Sequence, residues 1–308
     1  MGRYVLRRLL QLVPVFLGTT FLIYMLVWAV PGDPLAGKCG ARACPESYVA
    51  AVEAEYGLDQ PVIIQYFNYL GNLLTGDFGQ TFSGISVSEL IADAYPVTIR
   101  LAIMALLIQS VIGLTAGVLS GLRPGGYVDN VVLASTLFLV AVPVFVTGYV
   151  LQTVLGLRLG IISPTVSSSA SWSELIVPGY VLGSLSMAYV ARLTRTSIAE
   201  NMRADYVRTA VAKGLSRRRV VGVHLLRNSA IPVVTFLGAD FGSLMAGAIV
   251  TEGIFNIRGI GGLVFEAIQS VEGVIVTGVV VLLVLVYLLV NLLVDVAYAL
   301  LDPRIRLD

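Results

Sequence analysis

Few side chains in this 308-residue chain have types and spacings that could do chemistry. There is one histidine, His224, and there are two cysteines, Cys39 and Cys44, separated by four residues that include Gly40. Two ligands do not complete a tetrahedral metal site, and His224 falls on the opposite face of the membrane in the topology derived below, so no metal centre is expected. On the oxidising side of a membrane the cysteine pair suits a disulfide; two free thiols or a metal site are the alternatives. The GIGG run Gly259 to Gly262 lacks the strand-then-helix setting of a phosphate-cradling loop. No Gly-x4-Gly-Lys-Ser/Thr sequence occurs, so the chain is not its own ATP motor. Paired catalytic aspartates, a Ser and His at membrane depth and a zinc-binding HExxH are also missing, which argues against an intramembrane hydrolase.

Two features stand out instead. The first is a basic stretch, ADYVRTAVAKGLSRRR (Ala204 to Arg219), within a segment, Arg192 to Arg227, that holds nine of the twenty Lys and Arg residues. Basic loops mark the cytoplasmic side, so charge alone gives orientation. The spacing adds more: a short helix from about Asp205 to Ala212, ended by Gly214 in a left-handed C-terminal conformation, with the next helix starting near Ser216. The second feature is Asp240, an acid inside an apolar run, where an ionisable group is costly and a functional candidate by default. Counted from the cytoplasmic ends of their spans, Asp240 and Asn291 lie at similar depths. Two readings stay open: a hydrogen bond between them, or a pairing across a dimer axis, that closes the inner end of a path; or a carboxylate satisfied locally by backbone or Ser243.

The elements that position these residues are membrane helices. With 57% hydrophobic and 13% charged residues, the chain departs from soluble domains, where about a quarter of residues are charged. About 20 helical residues cross the hydrocarbon core. Leu9–Val30, Leu101–Leu122, Val131–Leu157 and Gly273–Val294 carry no charge, and Leu175–Ala191 and Ala230–Thr251 are weaker candidates, giving six spans. The first ends in PGDP (Pro31 to Pro34) instead of a small-residue cleavage site, so it is expected to be retained and not a signal peptide. With the N-terminus inside, fifteen basic residues fall inside and four outside, Arg100 left out, which places both termini in the cytoplasm. Pro31 to Val97 then forms a long outer segment, expected to contain helices near Tyr48 to Tyr56, from Pro61 to Gly76, and from Val87 to Tyr95. Gly113 with Gly117, Gly238 with Gly242, and Ser243 with Gly247 are small residues four apart that suit close helix packing. Pro143 is expected to kink the third span.

The stretch DYVRTAVAKGL followed by LLRNSAIPV (Leu225 to Val233) resembles the EAA loop of ABC importer permeases, in the form of the dipeptide, oligopeptide and nickel branch and its first, B-type, permease. Relative to the general pattern, Arg208 and Thr209 replace the leading acid and first Ala, and Arg227 stands where Pro is usual, with Pro232 following; these departures occur within the peptide branch. The resemblance covers nearly the whole chain, including PGDP, the Pro96, Thr98 and Leu101 region and the LDPRIR tail (Leu301 to Arg306).

It implies an all-α integral membrane protein with six transmembrane helices, a long extracytoplasmic loop and a coupling-helix loop, in one domain over residues 1–308. That domain divides into an N-terminal tail and first span (1–30), an extracytoplasmic segment (31–97) and a five-helix core (98–308). It implies a coupling loop of Asp205, Tyr206, Arg208, Thr209, Ala210, Lys213, Gly214 and Leu215 against an ATPase subunit, and an outer mouth near Glu252, Phe255 and Asn256. The implied assembly, in a bacterial inner membrane, has a second permease subunit, two ATPase subunits that hold ATP and Mg, and an extracytoplasmic peptide-binding protein. No cofactor in this chain and no nucleic acid are expected. Nickel chelates, glutathione and haem are alternative cargoes. A secondary transporter would need ion sites and repeated halves, for which only Asp240 and Asp295 are available.

Overall fold

The computed structural model describes residues 2–28, 44–47, 49–50, 57, 60–81, 83–246 and 248–301. Helix α1 (Gly2–Trp28) precedes α2 (Val62–Leu74) and α3 (Val87–Gly121). Then follow α4 (Tyr127–Ala141) and α5 (Val144–Arg158), α6 (Ile176–Asn201), the short α7 (Asp205–Ala212) and α8 (Arg217–Ala246). Two more short helices, α9 (Ile249–Phe255) and α10 (Ile260–Gln269), lead to α11 (Gly273–Leu301). The only pairing outside helices among the described residues is a bridge between Gln80 and Ser86.

Five helices are long and apolar enough to cross a membrane, and α4 with α5 makes a sixth only as a pair bent by 99°. The break is at Val142 and Pro143, which hold extended backbone (ψ 123° and 139°). Proline disfavours the helical region for the residue before it. What sequence alone gives as one kinked span is thus a sharp turn. The separate helix expected from Val87 to Tyr95 is likewise absent: α3 runs on through Pro96 for 35 residues, about 52 Å, more than the roughly 30 Å hydrocarbon core. The fourth span also reaches further than expected, to Asn201, and takes Arg192 and Arg195 into a helix. Residues 29–43, with Cys39, and most of 51–59 lie outside the described residues; Cys44 is not a free thiol.

The most extensive packing is between α3 and α6, which run parallel. Glycines make it possible. A Cβ at Gly117 would stand 2.5 Å from Thr194 Cβ and 2.6 Å from the Ala191 carbonyl oxygen; Gly113 meets Val190 and Met187 in the same way, and Gly121 meets Arg195 and Ile198. From the other side, Gly179 faces Met104 and Ala105, and Gly183 faces Ala105 and Gln109. In lipid, where water exclusion does not drive helices together, such close backbone approach supplies the contact energy. A second seam joins α8 and α11, antiparallel, with Gly238 against Val294 and Gly242 against Val290. Helix α1 lies outside, tied to α11 by Arg8 with Asp295 at 3.4 Å and by the Trp28 indole N–H donating to Thr277 Oγ1 at 3.1 Å. Hence α1 begins and α11 ends at the end of the bundle that carries α7.

Gly117→Leu is expected to destabilise the detergent-solubilised chain by roughly 1–3 kcal/mol, read as a lower unfolding midpoint and more aggregate on size exclusion. Gly18→Ala, whose Cβ meets nothing within 4 Å, should leave the midpoint level or raise it.

Candidate functional site

Helix α7 covers the expected Asp205 to Ala212. Asp205 sits at its first position, where negative charge suits the helix dipole. Gly214 has φ +74°, and the Leu215 and Gly214 N–H groups donate to the Ala210 and Val211 carbonyls at 3.3 and 2.9 Å. This is the paired-bond helix ending that a left-handed residue permits. Val207 and Ala210 are buried with Ile198, Val220 and Leu225, while Leu215 packs at the edge. Tyr206, Arg208, Thr209, Val211 and Lys213 remain exposed, and Val211 is 60% so. The result is a rigid knob with one face glued to the ends of α6 and α8 and the other face free. The next helix starts one residue after Ser216.

Asp240 is placed by α8, but not against Asn291. Gly238 and Gly242 turn one face of α8 to α11. Two residues on from Gly238 the helix has turned by about 200°, so Asp240 faces α3 and α6. Its Oδ2 accepts from Gln109 Nε2 at 2.7 Å and its Oδ1 from Ser186 Oγ at 2.8 Å. Asn291 donates to the Tyr287 carbonyl of its own helix at 3.0 Å. The expected bond between the two residues therefore gives way to a three-helix cluster. No local pattern marks Gln109 and Ser186 as partners of Asp240; an amide in the uncharged span Leu101–Leu122 is the available signal.

The residues expected at the outer mouth separate. Glu252 and Phe255 are 0% and 1% exposed, and only Asn256, left-handed at φ 50° at the end of α9, reaches the surface. Glu252 Oε1 accepts from Thr98 Oγ1 at 2.7 Å and Oε2 from the Gly262 N–H at 2.8 Å, while Thr98 Oγ1 accepts the Ile260 N–H at 2.8 Å. Two of the N–H groups that open α10 are thus capped by α3 and α9. The glycines follow from this crowding: a Cβ at Gly259 would collide with Glu252 and Thr98, at Gly261 with the Ile249 backbone, and at Gly262 with the Ile257 carbonyl. Burial pushes the Glu252 carboxyl up to about 7, against the bonds from Gly262, Thr98 and Gly261, which pull it down.

Near the α7 end, Asp129 at the start of α4 is clamped by Arg195, Nε at 2.6 Å and Nη2 at 2.7 Å, with Ser120 and the Gly125 N–H as further donors. No local pattern links residues 66 positions apart. No group of three or more metal-ligating side chains occurs among the described residues.

The described residues form a multi-spanning helical bundle that offers a short capped helix at one end. Residues 113–307 match the family model described as "Binding-protein-dependent transport system inner membrane component", and residues 1–102 match its N-terminal companion. The chain belongs to this family of transport permeases, which are integral to the inner membrane and are not enzymes. It is 36% identical to the probable peptide ABC transporter permease protein y4tP of Sinorhizobium fredii, over 99% of this chain and all of that one. It is 35% identical to the dipeptide transport system permease protein DppB of Escherichia coli K12, over 99% of both. The glutathione transport system permease protein GsiC of Salmonella typhimurium is 36% identical over 99% of both.

A raised carboxyl pKa means that Glu252 favours the folded state below about 4.5, and that this contribution is lost as pH rises through about 7. Glu252→Gln keeps the shape and cannot titrate. It is expected to flatten the slope of unfolding midpoint against pH between 4.5 and 7, a difference of about 3 kcal/mol at most.

Proposed function

We propose that this chain is one permease subunit of an ATP-driven importer of short peptides, forming half of the translocation path and turning ATPase movement into alternating access. The observation that carries the reading is α7: buried Val207 and Ala210 fix it to the bundle, and exposed Tyr206, Thr209 and Val211 offer a face to a partner. A short rigid helix held in a groove moves as a body, so closure of a partner ATPase dimer shifts the helices to which α7 is attached. The coupling loop comprises Asp205, Tyr206, Arg208, Thr209, Ala210, Lys213, Gly214 and Leu215. ATP and Mg belong to two partner ATPase subunits, cargo arrives on an extracytoplasmic binding protein, and a homologous second permease completes a heterodimer.

In this reading the whole of residues 1–308 is one transmembrane domain. Both termini and α7 face the cytoplasm, in keeping with the placement of Arg8, Asp295 and α7 at one end of the bundle. Asp240 and Asn291 belong to the path and Asn256 lies near the outer mouth; a Cys39–Cys44 bond would pin a tight loop in the extracytoplasmic segment. Short peptides are the cargo class because relatives named for peptide, dipeptide and glutathione transport are similarly close.

Val211→Asp and Gly214→Leu are each expected to leave abundance near normal while ATP-driven dipeptide uptake by the assembled complex falls about tenfold or more, the loss of one strong contact. The space around Gly214 is open, so the Leu variant meets only the backbone penalty of a left-handed residue, about 1–2 kcal/mol. Undiminished uptake by both variants refutes the coupling role. A membrane-impermeant maleimide should label Asn256→Cys in intact cells and Lys213→Cys only after permeabilisation; the reverse pattern overturns the orientation.

A further inference from the structure

Among the described residues, no basic side chain pairs with Asp240. Two other acids that face neighbouring spanning helices each meet an arginine, Asp129 with Arg195 and Asp295 with Arg8. Among the described residues Asp240 receives two neutral donors, Gln109 and Ser186. The arginines of α3 and α6 bond elsewhere: Arg100 to the Ser169 and Ala170 carbonyls and Arg195 to Asp129, while Arg192 reaches Thr136 through Nε and keeps a buried Nη2 without a partner among the described residues. A carboxylate offers about four acceptor positions, and two are in use. Gln109 is fully buried with its Oε1 unpartnered, so its amide is committed to the carboxylate at the cost of an unpaired acceptor. Such an arrangement leaves acceptor positions on Asp240 unfilled.

One helical turn toward the α7 end, Tyr189 and Phe236 come together with ring centroids 6.3 Å apart. Tyr189 is three residues beyond Ser186 on α6 and Phe236 is four before Asp240 on α8, so the rings share the helix faces that carry the polar cluster. Tyr189 is 48% exposed at the middle of a span, and Asp240 is partly exposed. A fixed carboxyl with spare acceptor capacity beside aromatic rings, and no basic group bonded to it among the described residues, is the chemistry that recognises an ammonium group.

Resting on the permease reading above, we infer that Asp240, held by Gln109 and Ser186 and flanked by Tyr189 and Phe236, is a station for the free α-ammonium group of a peptide in transit. The residues thus select for an unblocked amino terminus within the membrane, separately from any selection by a binding protein.

The test is equilibrium binding of radiolabelled Ala-Ala and N-acetyl-Ala-Ala to the membrane complex purified through this chain, with no binding protein added. Ala-Ala is expected to bind about ten- to a hundredfold more tightly than the acetylated peptide, the worth of a charge-assisted bond. Asp240→Asn should remove that preference by weakening Ala-Ala alone, and Tyr189→Leu should reduce it severalfold. Equal affinity of the wild-type complex for the two peptides overturns the inference without recourse to any variant, and covers the case of a basic side chain from the second permease already occupying the site. Full preference in both variants overturns it as well. ATP-driven uptake with the binding protein restored separates the two levels: uptake without amine selectivity leaves the importer standing and removes only the ammonium station, whereas a complex that binds no ATPase and moves no peptide fails as an importer.

Discussion

The approach of α3 to α6 over bare glycine backbone is the constraint on which the other features hang. Gly113, Gly117 and Gly121 on one helix and Gly179 and Gly183 on the other let two parallel helices touch along their length. Nearly every polar cluster then draws on this pair. Thr98 of α3 caps α10 together with Glu252, Gln109 of α3 and Ser186 of α6 hold Asp240, Ser120 of α3 and Arg195 of α6 clamp Asp129, and Ile198 of α6 packs against α7. Each of these bonds joins the strut to a different neighbour. Buried polar groups in an apolar setting are costly unless satisfied, so the position of each neighbour is set by a partner it cannot cheaply lose.

Much of this was legible from residue order. The boundaries of α7 are legible because its signals are local: Asp at the first turn, Gly two residues past the last, a serine before the next helix. The spans were legible by length and lack of charge, and a break at Pro143 by the stereochemistry of proline, though not its size, since the two helices turn by 99° there. What could not be read is what depends on rotation about a helix axis or on distant partners. Asp240 and Asn291 lie at matching depths, yet a turn of about 200° between Gly238 and Asp240 directs the acid to α3 and α6. The depth was right and the azimuth was not available.

The GIGG run shows the same limit from another side. Residue order shows only that it lacks the setting of a phosphate-cradling loop, and the constraint on its glycines is crowding around a buried carboxyl supplied by an element seven to ten residues earlier and a threonine more than 150 residues earlier. Exposure then divides three neighbours of similar sequence context: Glu252 and Phe255 belong to the interior and Asn256 to the surface. The family resemblance located the segment, and only packing could assign its members.

The length of α3 has a further consequence. A helix of about 52 Å, bonded at Thr98 to the start of α10 and packed at its far end beside α7, makes these two regions parts of one rod. No break interrupts it between the two contacts. Whatever displaces α7 therefore bears on the seat of α10 without a hinge in between.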